Sequence, residues 1–261
     1  MPVNTYVDRA RTRTRTEQET VDEKLGAIDA FVDRVSEIPT DSVPSSTAKL
    51  PATDGGLVRA GGSTGDRCRV VRSAFAETIG AHVADVDDED ALLAAIGDEF
   101  SEEIAVALAS TTPASFTPNL KRAVVSEATT RRAETAVLRR ALGREATHLD
   151  GAGAVVDDVT AWIADADETP LTDLGFDALQ QRHETLARHR DRCTELAAER
   201  QAFLRETTNQ GVDAGIRHRS LVPSLYEDFP VDHPLLATVA RLDDACADCQ
   251  RAVRRHLIRR A

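Results

Sequence analysis

Two stretches of this chain hold side chains whose types and spacing could do chemistry. The first is Cys246-Ala247-Asp248-Cys249, a C-x-x-C pair on an amphipathic segment, with His256 on the same helical face. Cys193 and His189, four residues apart on an earlier segment, present a second thiol and imidazole side by side. If the two segments pack together, Cys193, Cys246, Cys249 and His189 form a soft ligand set of the kind that holds zinc tetrahedrally. A redox dithiol is the other chemistry open to C-x-x-C, but that sits at a helix N-terminus within a βαβ pattern, and no such pattern surrounds it here. Against both stands a plainer reading. Cys193, Cys246 and Cys249 all fall on apolar seams, where a reduced cysteine behaves as a small buried hydrophobe. That reading is preferred, with zinc as the alternative cofactor. Cys68, between Arg67 and Arg69, has no partner in sequence.

The second stretch runs from Gly211 to Pro234 and holds Pro223, Pro230 and Pro234 with Tyr226 and Phe229, in a chain poor in aromatics. It reads as an ordered loop over the end of a helical bundle. Its polar members Arg217, His218, Arg219, Tyr226, Asp228 and His233 are the candidate partner-binding residues, because loops held on a rigid scaffold often carry function. The simpler reading makes the loop a cap that satisfies exposed helix ends.

Other motifs fail on inspection. Gly61 to Asp66 is glycine-rich, but no Lys-Ser or Lys-Thr follows and no strand precedes it, so it is not a phosphate loop. The acidic run Asp85 to Asp90 lacks the glycine and the closing glutamate of a calcium loop, and acids at a helix start are expected from capping and the helix dipole. No nucleophile elbow, His-Glu-x-x-His pair or dinucleotide fingerprint occurs. Paired carboxylates are everywhere on so acidic a chain, so none stands out for acid–base work. The chain is therefore expected to be non-enzymatic, with no catalytic residue.

The elements that would position these side chains are helices. Residues 117–209 read as a long antiparallel hairpin. Thr117-Pro118 opens its first arm as an N-cap and a proline at the first helical position. Leu138, Leu142, Glu145, Leu149, Ala152, Val156, Val159 and Ile163 then step by four and three, a heptad seam interrupted only by Glu145. Gly143, Gly151 and Gly153 each weaken that helix by about 1 kcal/mol relative to Ala, so a bend or break near Gly151-Ala152-Gly153 is expected. Thr169-Pro170 stops the arm, and Thr172 or Asp173 is expected to cap the next. The return arm repeats the spacing with Leu179, Arg182, Leu186, His189, Cys193, Leu196, Arg200 and Phe203. Its arginine stems are expected to lie along apolar surface with their heads in water.

Around the hairpin, residues 1–38 form an N-terminal amphipathic helix and 39–66 a flexible linker rich in Ser, Thr, Pro and Gly. Residues 67–110 form a short helical pair, with helices over 67–83 and 88–109. The span 210–261 supplies the Pro-rich loop and a C-terminal helix capped by Asp232, and 67–261 reads as one domain. The fold class is all-α: an elongated helical bundle built on the hairpin, with coiled-coil-like seams. Arg9, Arg11, Arg13 and Arg15 alternate near the start. They could form a nucleic-acid arm, but no base-stacking aromatics interleave, and pairing with nearby acids is the simpler reading.

Composition narrows the setting. The formal net charge is −12, and of the 32 basic residues all but Lys24, Lys49 and Lys121 are arginine. Such acidity with almost no lysine is the pattern of a high-salt cytoplasm, where the Debye length is about 3 Å or less and surface acids hardly repel. The first thirty residues carry no apolar core of a signal peptide, and no apolar run approaches the roughly 20 residues that span a bilayer. A soluble cytoplasmic protein with reduced thiols is expected.

With this composition, Gly175-Phe176-Asp177-Ala178-Leu179, Arg217 to Pro223, Asp228 to Pro234 and Cys246-Ala247-Asp248-Cys249-Gln250-Arg251 resemble a haloarchaeal family of uncharacterised helical proteins. The resemblance covers most of the chain and implies a halophilic archaeal source. It brings no catalytic residue. The leading expectation is helix-mediated association with itself or another protein. The alternatives are a nucleic-acid regulator using the Arg arm and a metal- or small-ligand-binding helical protein.

Overall fold

The computed structural model describes residues 5–41, 64–83, 88–112, 115–210 and 221–260, and these hold helices and no strand. In chain order the helices are α1 (Tyr6–Glu37), α2 (Thr64–Glu77), α3 (Glu89–Glu99), α4 (Glu102–Leu108), α5 (Pro118–Asp167), α6 (Phe176–Gln210), α7 (Leu221–Leu225) and α8 (Pro234–Arg260). A short 3-10 turn, Gly80–His82, follows α2. The expected linker falls largely outside the described residues, as do Arg217, His218 and Arg219. Two compact units emerge: Met1–Gln18 with Arg140–Ala261, and Glu19–Arg139. The division falls inside α1 and α5 rather than at the segment boundaries read from sequence.

The Glu19–Arg139 unit forms around the sevenfold spacing of α1. Val21, Ile28 and Val35 are buried together with Phe31 and Ile38. Against them pack Val71 and Phe75 of α2, Ile96 of α3, Leu108 of α4 and Val124 of α5. Each such side chain contributes about 1.5–3 kcal/mol when fully buried. Phe31, Phe75 and Phe100 interlock as one stacked and two edge-on pairs with centroids 5.4–5.9 Å apart. The stretch 88–109 is two helices instead of the expected one. Phe100 leaves the helical conformation, and the Ser101 side chain accepts from the Ile104 N–H at 3.3 Å to cap α4. Asp88 caps α3 in the same way through Ala91 N at 2.8 Å. Glu99 is the unit's buried carboxylate, held by Lys24 Nζ at 2.6 Å and Arg131 Nε at 2.8 Å.

The other unit is built from the first turns of α1, the second half of α5, and α6, α7 and α8. Thr5 and Asp8 start α1 with reciprocal capping bonds, Thr5 N to Asp8 Oδ2 at 3.0 Å and Asp8 N to Thr5 Oγ1 at 3.3 Å, which use up orphan donors of the first turn. Val7, Ala10 and Thr14 are fully buried. Helices α6 and α8 run antiparallel, fixed in register by Arg190–Asp243 at 2.9 Å and by Gln250 donating to His183 O at 3.4 Å.

Helix α5 is continuous for 50 residues, so no break falls at Gly151. Leu149, Ala152 and Val156 are buried on either side of the glycines; that packing outweighs about 1 kcal/mol per glycine. A Cβ at Gly153 would lie 2.9 Å from Arg11 Nη1, so this glycine lets α1 approach. Helix α6 starts at Phe176, after a turn closed by Asp173 N to Pro170 O at 3.0 Å. Thr172 and Asp173 therefore belong to the turn and do not cap the helix. Helix α8 begins at Pro234 directly after His233, which moves its start one residue beyond the expected Asp232 cap.

Candidate functional site

The unit that contains the hairpin has a buried polar centre. The Arg200 head does not reach water as its position on the return arm implied. Its Nη1 and Nη2 donate to Glu145 Oε2 and Oε1, both at 2.8 Å, in a bidentate pair. The third donor to this carboxylate is Tyr226 Oη, at 2.6 Å from Oε1. Burial first, then the charge of Glu145, pushes the Tyr226 phenol up from its usual range, and a hydrogen bond with Thr14 opposes the shift. Such a phenol stays protonated and donating. Arg200 also lies over the Phe203 ring at 5.3 Å, and that ring stacks on His148 at 4.5 Å. Burial, helped by the charge of Arg200, pulls the His148 pKa down and keeps it neutral.

This centre cannot receive a substrate. Glu145 and Arg200 are each 1% exposed and Tyr226 is buried. A charge pair taken out of water survives only with close geometry and its remaining lone pairs satisfied, and here α6 and the segment after α7 supply three donors to the carboxylate of α5. Its chemistry is to hold α5, α6 and the segment after α7 together. Tyr226 is thus removed from the candidate partner-binding set, because its hydroxyl points inward. Asp228 and His233 are exposed. In the described part of this stretch, Leu225 O accepts from Arg13 Nε at 3.4 Å, and Arg9 lies over the Phe229 ring at 4.9 Å.

The arginine arm is engaged as well. Arg11 and Arg15 both pair with Asp150, at 2.8 and 3.1 Å, and Arg13 reaches Glu17 at 3.7 Å. These contacts fit the pairing expected over a free phosphate-binding stripe, although the main acid is Asp150 on α5 rather than a neighbour in sequence.

The cysteines lie in the seams. Cys193 and Cys246 are buried, Cys249 is half-buried, and all four thiols are outside disulfides. Burial pushes the Cys246 thiol up to about 12, with further repulsion from Cys193 and Cys249, so these three share one neighbourhood. His189 instead packs on Trp162 of α5, centroids 4.9 Å apart, and neither of its ring nitrogens has a hydrogen-bond partner among the described residues. Among the described residues, no three His, Cys, Asp or Glu side chains are placed to hold a metal ion. Nor is any helix there long and apolar enough to cross a membrane.

What the sequence reading missed is an open cleft of about 440 Å³ between the start of α1, α5 and α8. Val156, Ile163, Leu242 and Ala245 give it an apolar wall, and Arg241 is the one charged residue lining it among the described residues. The Arg241 guanidinium sits 4.6 Å from the Tyr6 ring centroid, a cation–π contact. Among the described residues Arg241 forms no ion pair. The signal in the sequence was faint: Arg241 merely flanks the seam of Leu235, Val239, Leu242 and Cys246, as any solvated arginine would. A smaller cavity of about 190 Å³ lies at the hairpin end, lined by Trp162, Pro170, Arg182 and Cys249.

No curated protein and no solved structure matches the chain. One family model does, over residues 5–250, which takes in both units, the buried centre and the cleft. The chain therefore belongs to the family described as Domain of unknown function (DUF7260).

Proposed function

We propose that this protein is a non-enzymatic helical binding module whose site is the cleft walled by Tyr6, Val156, Ile163 and Arg241. One observation carries the reading. An apolar space of about 440 Å³ has a guanidinium on its wall that no carboxylate among the described residues holds, while Arg11, Arg190, Arg192 and Arg200 of the same unit are each held by Asp or Glu. Volumes of this order suit a small ligand. The test uses the intact protein and 8-anilinonaphthalene-1-sulfonate, whose fluorescence rises in apolar sites. Wild type should enhance the signal saturably, and Ala245→Trp, which fills the cleft from an exposed position, should abolish the enhancement without lowering Tm. Equal enhancement by both proteins would remove the cleft as the site.

A second reading is helix-mediated self-association. It is supported by Phe176 and Ile258, which are 47% and 71% exposed at the same end of the antiparallel α6–α8 pair, where Arg260 reaches Thr172 O. Sedimentation at rising concentration should show a larger species that Phe176→Ser with Ile258→Ser removes; a strict monomer throughout would end this reading. We also place the protein in a high-salt cytoplasm, on the strength of the net charge of −12 and the near absence of lysine.

A further inference from the structure

We infer that the Tyr6–Arg241 cleft takes an amphipathic organic monoanion, a carboxylate head on an apolar body, an assignment that rests on the cleft being the binding site. The wall sorts ligand classes by charge. No carboxylate lines it, so a cationic ligand would lose its water and gain no counter-charge. Arg241 is the one charged residue lining the cleft among the described residues, and a guanidinium presents planar paired donors that match a carboxylate. Tyr6 fixes that group, whose central carbon lies 4.6 Å from the ring centroid, without neutralising its charge.

The hydroxyls refine the class. Thr238 Oγ1 donates to Pro234 O at 2.9 Å and Thr5 Oγ1 to Asp8 Oδ2 at 2.8 Å, so both are spent inside the protein. Tyr6 and Thr160 also line the cleft, and their hydroxyls make no hydrogen bond among the described residues. A head group thus meets one guanidinium and two neutral hydroxyls. That set suits a single negative charge. A phosphate dianion would want a second cation or an uncovered helix start, and at the start of α1 the Asp8 carboxylate, bonded to Thr5 N and Oγ1, already supplies the negative charge. Past the head, Val156, Ile163, Leu242 and Ala245 offer only apolar contact, which calls for a hydrocarbon tail.

Calorimetry on the full chain with decanoate and, separately, 1-decanol tests this. Decanoate should bind wild type, and Arg241→Gln should weaken it on the order of tenfold, the worth of one charge-assisted contact. The same variant should leave 1-decanol unchanged, and Ala245→Trp should remove both ligands. Circular dichroism and Tm check that each variant is folded; Arg241 and Ala245 are exposed, so both should be. If both ligands bind, vanish in Ala245→Trp and ignore Arg241→Gln, the monoanion assignment falls while the cleft stands as the site. Undiminished binding to Ala245→Trp, or no binding to wild type, overturns the cleft reading and the assignment with it.

Discussion

Glu145 and Arg200 meet through two parallel N–H···O bonds of 2.8 Å, in a core that leaves each 1% exposed. They occupy seam positions on opposite arms of the hairpin, so one long polar contact replaces an apolar layer. Breaking such a pair from one side strands a charge out of water. Arg200→Met should cost about 3–5 kcal/mol in urea unfolding. The double variant Glu145→Leu, Arg200→Met should recover most of that loss, since an apolar replacement of both partners is often neutral or better. Losses that simply add would show that the pair is no unit.

Glu99 should impose a pH dependence. Burial alone raises its carboxyl, but hydrogen bonds from Arg131 and Lys24 outweigh that and hold it below the usual carboxylate range. A folded value below the unfolded one means that the stabilisation is complete above the ordinary carboxylate range and is lost as pH falls through the folded value. Glu99→Gln should therefore cost about 1–3 kcal/mol near neutral pH. Its Tm deficit against wild type should shrink on acidification; a constant deficit would mean that charge plays no part.

Native thiols should react slowly. Desolvation raises Cys193 and Cys68, and takes Cys246 to about 12, so little thiolate exists at neutral pH. With Ellman's reagent, half-buried Cys249 should react first, and Cys193 and Cys246 only on unfolding. Prompt reaction of four thiols in the native protein would contradict their placement in the seams.

The glycines of α5 should respond unequally to alanine. Nothing lies within 4 Å of a Cβ at Gly151, whereas one at Gly153 would press on Arg11. Gly151→Ala should add about 0.5–1 kcal/mol. Gly153→Ala should gain less, because Arg11 must move and its exposed pair with Asp150 is disturbed. The Tm difference between the two variants checks this.

Molar potassium chloride should raise Tm. With a net charge of −12, screening relieves self-repulsion within the folded state. A Tm that falls on adding salt would count against adaptation to a high-salt solvent.

Helices were legible in the sequence because burial follows their period. The seam from Leu142 to Val159 and that from Leu179 to Leu196 are buried almost position for position. The Glu145–Arg200 contact was half legible: both residues interrupt a seam, on arms that run antiparallel, with opposite charge. What hid it was the habit of sending long arginine stems to water. The break at Phe100 turns on a ring contact among residues far apart in sequence, and the continuity of α5 on packing that no glycine count reveals. The cleft was invisible for a related reason: an arginine that happens to lack a carboxylate has the same spelling as one that has found it.

The opening turns of α1 belong to a unit whose other helices lie beyond residue 140. During synthesis, which proceeds from the N-terminus, Val7, Ala10 and Thr14 therefore emerge long before the rest of their unit, whereas the helices that cover Ile28 and Val35 follow soon after them. Those opening turns have to stay clear of false partners while the whole intervening unit is made, which places a hazard of mis-association there.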